Sequence, residues 1–211
     1  MLMKISLQNL GKRFNREWIF RHLNYEFLPG RSYAITGPNG SGKSTLLQVI
    51  GGSSTLSEGK VVYDNSKEED VYKHIAIAAP YLELVEEMTL TEFLHFHAAL
   101  KEWLPAVTVK KIISVIELEK AADKQIRYFS SGMKQRVKLA QAIFSNVPVV
   151  LLDEPTTNLD EEGIQLYKNL VNNYCKERLL VVSSNDKQEY DFCDEVIDMK
   201  ELKNFQNKGL A

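Results

Sequence analysis

Short apolar runs alternate along this chain with segments in which apolar residues recur every three or four positions. A continuous apolar run is typical of a strand buried on both faces, and the wider spacing is typical of an amphipathic helix. The apolar runs occupy residues 33–36, 75–78, 147–152, 179–183 and 196–199. Because helical segments follow most of these runs, the pattern predicts a mostly parallel sheet with helices on its faces.

The first part of the chain has a different pattern. Residues 4–7, 18–27 and 61–63 read as further strands, and turn-forming residues separate them. We therefore expect a small antiparallel sheet beside the parallel core.

A helical insertion is predicted between residues 89 and 128, where strand signals are absent and two helical patterns follow each other. The first begins at Thr89, and Glu92 lies at capping-box spacing from it, so that each side chain can satisfy a backbone N–H of the other. We place a helical subdomain at approximately residues 86–135, within a single domain that comprises residues 1–211.

The composition and charge of the chain exclude some classes of protein and of binding partner. Hydrophobic residues make up 44% and charged residues 26% of the 211 positions, which is typical of a folded globular protein. The 26 basic and 28 acidic residues give a net charge of -2, so nucleic acid is not an expected partner. No apolar run approaches the roughly 20 residues that a membrane span requires. The two cysteines, Cys175 and Cys193, do not have the spacing of metal ligands. We expect a cytoplasmic protein.

A phosphate-binding loop is predicted at residues 37–44, which match the pattern Gly-x-x-x-x-Gly-Lys-Ser between a predicted strand and a predicted helix. The glycines let backbone N–H groups point inward at phosphate, and Lys43 brings a cation to the terminal phosphates. The Ser44 hydroxyl is a candidate ligand of Mg²⁺. The candidate nucleotide-binding residues here are Gly37, Pro38, Asn39, Gly40, Ser41, Gly42, Lys43, Ser44 and Thr45.

Two adjacent carboxylates follow the strand predicted at residues 147–152. Ligand sites of open parallel sheets lie at the carboxyl ends of the strands, so Asp153 and Glu154 should face the phosphates. Asp153 can hold Mg²⁺ through the water shell of the ion, and Glu154 can polarise the attacking water. Asp153 and Ser44 are therefore the candidate metal ligands, and Glu154 and Lys43 are candidate catalytic residues.

A third segment, Phe-Ser-Ser-Gly-Met-Lys-Gln-Arg at residues 129–136, precedes another helical pattern. Ser130 or Ser131 is suited to cap that helix, because a serine side chain accepts a hydrogen bond from a free N–H of the first turn. From spacing alone, a structural cap and a ligand contact both stay open.

The order of these segments resembles the nucleotide-binding domain of ABC-type ATPases. Residues 37–44 resemble the Walker A loop, residues 129–133 the signature motif, residues 149–154 the Walker B strand and residues 157–160 the D-loop. The resemblance implies an α/β fold of the P-loop NTPase class. Its parts are a RecA-like core, an N-terminal antiparallel β-subdomain and an inserted helical subdomain.

The resemblance also implies ATP and Mg²⁺ as cofactors and a head-to-tail pair of domains. Each ATP then lies between one Walker A loop and the signature of the other subunit. In this arrangement Ser130 and the backbone N–H of Gly132 contact the γ-phosphate bound to the partner chain, at a helix N-terminus that favours an anion.

An aromatic residue that stacks on adenine is a further implication of the resemblance. Phe14 lies upstream of the phosphate loop at a suitable place, and stacking requires only the face of its ring. Trp18 is the alternative stacking residue, and ordinary packing of Phe14 is a third possibility.

The chain departs from the family pattern at two positions. Where a glutamine usually follows the strand before the helical insertion, counting back from Thr89 reaches Pro80, whose side chain has no hydrogen-bonding group. A shift of one residue reaches Tyr81, which is no better as a metal ligand. Asn185 replaces the usual histidine, and asparagine can donate a hydrogen bond to a γ-phosphate but cannot relay a proton. Asn185 is thus a third catalytic candidate, and slow hydrolysis is expected.

These observations predict an ATP-binding and ATP-hydrolysing subunit that energises transport through separate integral-membrane subunits. Two such domains, identical or different, would dimerise on ATP. The chain would lie at the cytoplasmic face of a membrane through its partners. Two alternatives stay open, namely an ATP-gated regulatory clamp with little turnover and a soluble ABC ATPase that takes no part in transport.

Overall fold

The computed structural model describes residues 2–64 and 66–204. In chain order the strands are β1 (Ile5–Phe14), β2 (Glu17–Phe27), β3 (Ser32–Thr36), β4 (Glu58–Tyr63), β5 (Ile75–Ala78), β6 (Val149–Asp153), β7 (Leu179–Ser183) and β8 (Glu195–Asp198). The α-helices are α1 (Lys43–Ile50), α2 (Leu90–Leu100), α3 (Val109–Val115), α4 (Ser131–Ile143), α5 (Glu161–Tyr174) and α6 (Met199–Asn204). Short 3-10 helices occupy Glu68–Lys73, Glu119–Ala121, Ile126–Tyr128 and Lys187–Glu189.

Two sheets form the framework of the fold. Strands β2, β1 and β4 make an antiparallel sheet in that order, and strands β5, β6, β7, β3 and β8 make a parallel sheet in that order. The predicted α/β architecture, with a small antiparallel sheet beside a parallel one, is confirmed. Because β7 lies between β6 and β3, the segments that leave these three strands meet at one end of the sheet.

The central strands of the parallel sheet, β6 and β7, are buried on both faces. In β6, Val150 and Leu152 belong to a hydrophobic cluster with residues of α2 to α5, whereas Val149 and Leu151 belong to a cluster with α1 and the antiparallel sheet. All four side chains are fully buried. Burial on both faces explains why β6 is a continuous apolar run rather than an alternation of apolar and polar residues.

Several strand boundaries differ from the predicted ones, and β4, for example, begins at Glu58 rather than at residue 61. Strand β1 continues to Phe14, far beyond the predicted residues 4–7, because its backbone pairs with β2 on one side and with β4 on the other. Backbone pairing of this kind needs no apolar side chain, so the polar residues of β1 gave no strand signal. Met199 begins α6 instead of ending β8.

The helical insertion begins as predicted. The Thr89 hydroxyl accepts a hydrogen bond from the N–H of Glu92 (3.2 Å), and the Glu92 carboxylate accepts one from the N–H of Thr89 (2.8 Å). The capping box is therefore confirmed. The second helix, α3, has its own side-chain cap at Thr108. The limits of the subdomain at residues 86–135 stay a prediction.

Candidate nucleotide-binding site

The phosphate loop connects the end of β3 to the start of α1. A turn closed by a hydrogen bond from the Ser41 N–H to the Pro38 carbonyl (3.0 Å) curves the loop, and Lys43 Nζ donates to the Gly37 carbonyl (2.8 Å). Lys43 is only 6% exposed, and none of the ion pairs found in the described part of the chain involves it. A buried ammonium group that has no carboxylate partner is well suited to bind phosphate.

The last glycine of the loop is required by its contact with the antiparallel sheet. Gly42 has a φ of 101°, in the left-handed region that glycine adopts without strain. A Cβ atom on Gly42 would lie 2.4 Å from Cγ2 of Ile19 on β2. Any side chain at this position would have to displace the Ile19 side chain.

Asp153 ends β6 and is in register with Ser183, which ends β7. Asp153 is 2% exposed, and its Oδ1 atom and the Ser183 hydroxyl have no hydrogen-bond partner among the described residues. Leaving a buried carboxylate oxygen unpaired is costly unless a cation or a donor satisfies it. The orphaned oxygen therefore fits a metal ion at Asp153, and Ser44, the other predicted ligand, lies in the first turn of α1.

Glu154 leaves the sheet through a tight turn. Its φ is 43°, which is uncommon for a residue with a side chain. Its N–H donates to the Ser183 carbonyl (2.9 Å), and its carbonyl accepts from the Thr157 N–H (3.2 Å). Asp153 stays buried while Glu154 is exposed. The two adjacent acids are thus divided into a buried candidate metal ligand and an exposed candidate base.

Tyr81, rather than Pro80, faces the site from the β5 side. The Pro80 carbonyl accepts a hydrogen bond from Lys138 Nζ (2.9 Å), and Pro80 is exposed. The pKa of Tyr81 is raised, first by burial and then by the negative charge of Asp153, although a hydrogen bond with Gln48 of α1 opposes the shift. The phenol is therefore a neutral hydrogen-bonding group near α1 and Asp153.

Asn185 follows β7 and contacts the phosphate loop. Its Oδ1 atom accepts a hydrogen bond from the Gly37 N–H (3.0 Å), and its Nδ2 atom donates to Asn39 Oδ1 (3.3 Å). The structure thus brings this catalytic candidate to the nucleotide-binding loop. Its contact with a γ-phosphate stays a prediction.

The signature segment forms the start of α4. The Ser130 side chain accepts a hydrogen bond from the Met133 N–H (3.2 Å), so Ser130 rather than Ser131 is the helix cap. The hydroxyl hydrogen can still be donated to a ligand. A Cβ atom on Gly132 would lie 3.0 Å from the carbonyl oxygen of Asn158. Glycine therefore allows the signature turn to pack closely against the backbone of the D-loop.

A cavity of about 440 Å³ opens beside the signature segment. Residues 130–133 line one side and residues 158–160 line the other. Among the described residues that line it, none belongs to the phosphate loop at residues 37–45. The signature cavity and the phosphate loop are therefore formed by different residues of the chain.

Two buried polar residues, to which the sequence assigned no role, connect these segments. Gln135 of α4 donates from Nε2 to the Pro155 carbonyl (2.7 Å), which ties the signature helix to the turn after β6. Glu189 accepts from the Thr156 N–H (2.7 Å) and from the Thr156 hydroxyl, and burial raises its pKa. The sequence alone does not predict that these two residues are buried, because a polar residue outside the apolar face of a helix usually faces solvent.

The two aromatic candidates for adenine stacking have different surroundings. Phe14 is 50% exposed at the end of β1, and Lys12 Nζ lies 4.7 Å from its ring centroid. Trp18 has the Arg21 guanidinium 4.5 Å from its ring centroid, and its ring lies so close to Gly11 that a Cβ atom there would be 3.0 Å away. Phe14 therefore offers more free surface than Trp18 to a planar ligand.

Comparison with known proteins identifies the family. Residues 20–157 match the family described as ABC transporter. The chain is 34% identical over 152 residues to the cytochrome c biogenesis ATP-binding export protein CcmA of Xylella fastidiosa, covering 71% of this chain and 68% of that one. It is 30% identical over 206 residues to the uncharacterized ABC transporter ATP-binding protein YybJ of Bacillus subtilis, covering 92% of each chain.

A solved structure agrees with these relatives. The dimeric post-hydrolysis structure of the ATP-binding cassette MJ0796, bound to ADP and Pi, matches with a TM-score of 0.77 and 26% identity. The match covers 92% of this chain and 93% of that one.

The fold and the phosphate loop define an ATP-binding component with a P-loop NTPase fold. The chain belongs to the ABC transporter family. Members of this family bind ATP, generally with Mg²⁺, and ATP hydrolysis is their general reaction. In the described part of the chain, no helix combines the length and the apolar character that crossing a membrane would need.

Proposed function

We propose that this chain energises transport through separate integral-membrane subunits, at the cytoplasmic face of a membrane, by closing onto a second ATP-binding domain when ATP binds. The observation that carries the proposal is the separation of the signature cavity from the phosphate loop. Ser130 and Gly132 line a cavity to which, among the described residues, the loop does not contribute. Two domains joined head to tail, identical or different, would bring each signature to the loop of the other.

The residues at the carboxyl end of the sheet suit ATP and Mg²⁺. The loop N–H groups and Lys43 would hold the phosphates, and Ser44 and Asp153 would hold the ion. When bound, the ion would neutralise charge on the phosphates. Glu154 is exposed beside Asp153 and is suited to accept the proton of the attacking water.

The membrane-partner part of the proposal is tested by purifying a tagged chain from detergent-solubilised membranes of its host. We expect an integral-membrane protein with several apolar spans to co-purify, and the complex to hydrolyse ATP. The name of the relative CcmA, an ATP-binding export protein, supports this expectation. A chain that dimerises with ATP yet recovers no membrane protein would contradict the transport role and favour the regulatory clamp.

We further propose that the isolated chain hydrolyses ATP slowly. Neither Pro80, whose side chain has no hydrogen-bonding group, nor Tyr81 replaces the usual glutamine as a metal ligand, and Asn185 cannot relay a proton. Because one aligned donor is typically worth about 10² to 10³ in rate, Asn185→His should raise turnover at saturating ATP by up to about 10²-fold. Phosphate release by this chain alone measures the change, and Asn173→Ala, an exposed substitution on α5, is the matched control. Brisk wild-type turnover would contradict the proposal.

Phe14 is the proposed adenine-stacking residue. Phe14→Ala should weaken ATP binding by roughly 1 kcal/mol, the typical energy of an aromatic contact. Trp18→Ala should have a smaller effect, because Trp18 already packs against Arg21 and Gly11. Titration calorimetry with both variants measures the difference, and a loss seen only with Trp18→Ala would show that the assignment is wrong.

A further inference from the structure

The amide side chain of Asn185 bridges two points of the phosphate loop. It accepts from the Gly37 N–H (3.0 Å) and donates to Asn39 Oδ1 (3.3 Å). The orientation of the amide follows from the chemistry, because a backbone N–H can only donate and must face the amide oxygen. The amide nitrogen is then the atom that faces Asn39.

The register of the parallel sheet explains why these residues meet. Strands β3 and β7 are neighbours, with Ile35 opposite Ser183, and the Ser184 N–H donates to the Ile35 carbonyl (3.1 Å). Gly37 and Asn185 each lie two residues beyond that pair, where the backbone ladder has ended. The Asn185 side chain therefore satisfies the Gly37 N–H at the point where the loop leaves the sheet.

Hydrogen bonds extend from Asn185 through Gly37 to Lys43, the candidate phosphate-binding lysine. The Gly37 N–H is held by Asn185, and the Gly37 carbonyl is held by Lys43 Nζ (2.8 Å). Gly37 has a φ of 138°, a conformation open to glycine and costly for other residues. Glycine can adopt many backbone conformations in a free loop. When hydrogen bonds already hold Gly37, the loop loses less conformational entropy on binding a nucleotide.

We propose that Asn185 is a positioning residue that holds the phosphate loop in its binding shape and thereby sets the affinity for ADP as well as for ATP. This inference rests on the proposed function only in taking residues 37–45 as the nucleotide site. It differs from a contact with the γ-phosphate, which ADP lacks. A residue that acts only through the γ-phosphate would change the affinity for ATP and leave the affinity for ADP unchanged.

Titration calorimetry with Mg-ADP and with a non-hydrolysable Mg-ATP analogue tests the proposal. Loss of the two hydrogen bonds in Asn185→Ala should weaken both nucleotides by a similar factor of about ten. Asn39→Ala should have a smaller effect, because the Gly37 contact remains. In the Asn185→Ala background, Asn39→Ala should lose less affinity than it does in the wild type, since their shared contact is already gone.

Hydrogen exchange of the nucleotide-free protein provides a readout that does not depend on ligand. Backbone amides around Gly37 should exchange faster in Asn185→Ala than in the wild type, and Asn173→Ala on α5 is the control that should leave them unchanged. Unaltered ADP affinity or unaltered exchange in Asn185→Ala would overturn the proposal. A wild-type chain that binds neither nucleotide would instead refute the proposed function, while exchange would still report whether Asn185 holds the loop.

Discussion

Replacing Lys43 by alanine should weaken Mg-ATP binding by about 10- to 100-fold, the loss expected for one or two charge-assisted hydrogen bonds. Lys43 is buried and donates to the Gly37 carbonyl (2.8 Å). The substitution therefore removes the cation that would face the phosphates and also a contact that closes the loop. Titration calorimetry with a non-hydrolysable ATP analogue measures the change.

Lys43→Met separates the ammonium group, which makes both of these contacts, from the apolar stem of the side chain. Methionine keeps most of the apolar stem and removes the charge, so it should lose nearly as much affinity as alanine if the cation dominates. Lys111→Ala, an exposed substitution on α3, is the matched control and should bind like the wild type. Wild-type affinity in both Lys43 variants would mean that residues 37–44 are not the nucleotide site.

Glu154→Gln should reduce ATP hydrolysis by about 10² to 10³-fold, within the range that a positioned general base contributes. The amide keeps the size of the side chain and cannot accept the proton of the attacking water at neutral pH. Asp153, Lys43 and Ser130 are unchanged, so ATP binding and closure of the dimer should persist. Phosphate release measures the first effect, and light scattering with and without Mg-ATP measures the second.

Glu162→Gln, on the exposed first turn of α5, makes the same chemical change outside the site and should leave hydrolysis unaltered. We expect the Glu154→Gln protein to be a dimer with Mg-ATP and largely monomeric without nucleotide. A monomer under all conditions, with or without a membrane partner, would argue against head-to-tail closure. Undiminished hydrolysis would show that another residue acts as the base.

The phosphate loop and the acidic pair could be predicted because their geometry is local. Gly37 to Ser44 lie between a strand and a helix that the apolar pattern already indicates. Asp153 and Glu154 follow an apolar run, and the end of a parallel strand is where ligands bind. The capping box at Thr89 is local as well, since it joins residues three positions apart. The cap of α4 is equally local, although the sequence left Ser130 and Ser131 open.

The surroundings of the site could not be predicted in the same way. Counting along the sequence reached Pro80 first and Tyr81 only by a shift of one residue. In the structure, Tyr81 is the residue whose hydroxyl lies near Gln48 and whose pKa is raised by burial and by the charge of Asp153. The difference of one residue depends on how the chain turns after β5. Likewise, the need for glycine at position 42 arises partly from Ile19, which approaches from the other sheet.

The pattern of apolar runs and helical stripes thus predicts most of the strands, the place of the phosphate loop and the acids that follow β6, because these features depend on residues close together in the chain. The order of the strands decides the rest. With β7 between β6 and β3, Asp153 lies beside Ser183, and Asn185 reaches Gly37 across 148 positions of sequence. Such contacts follow from the packing of strands that are not consecutive, and no local pattern of residues specifies which strands become neighbours.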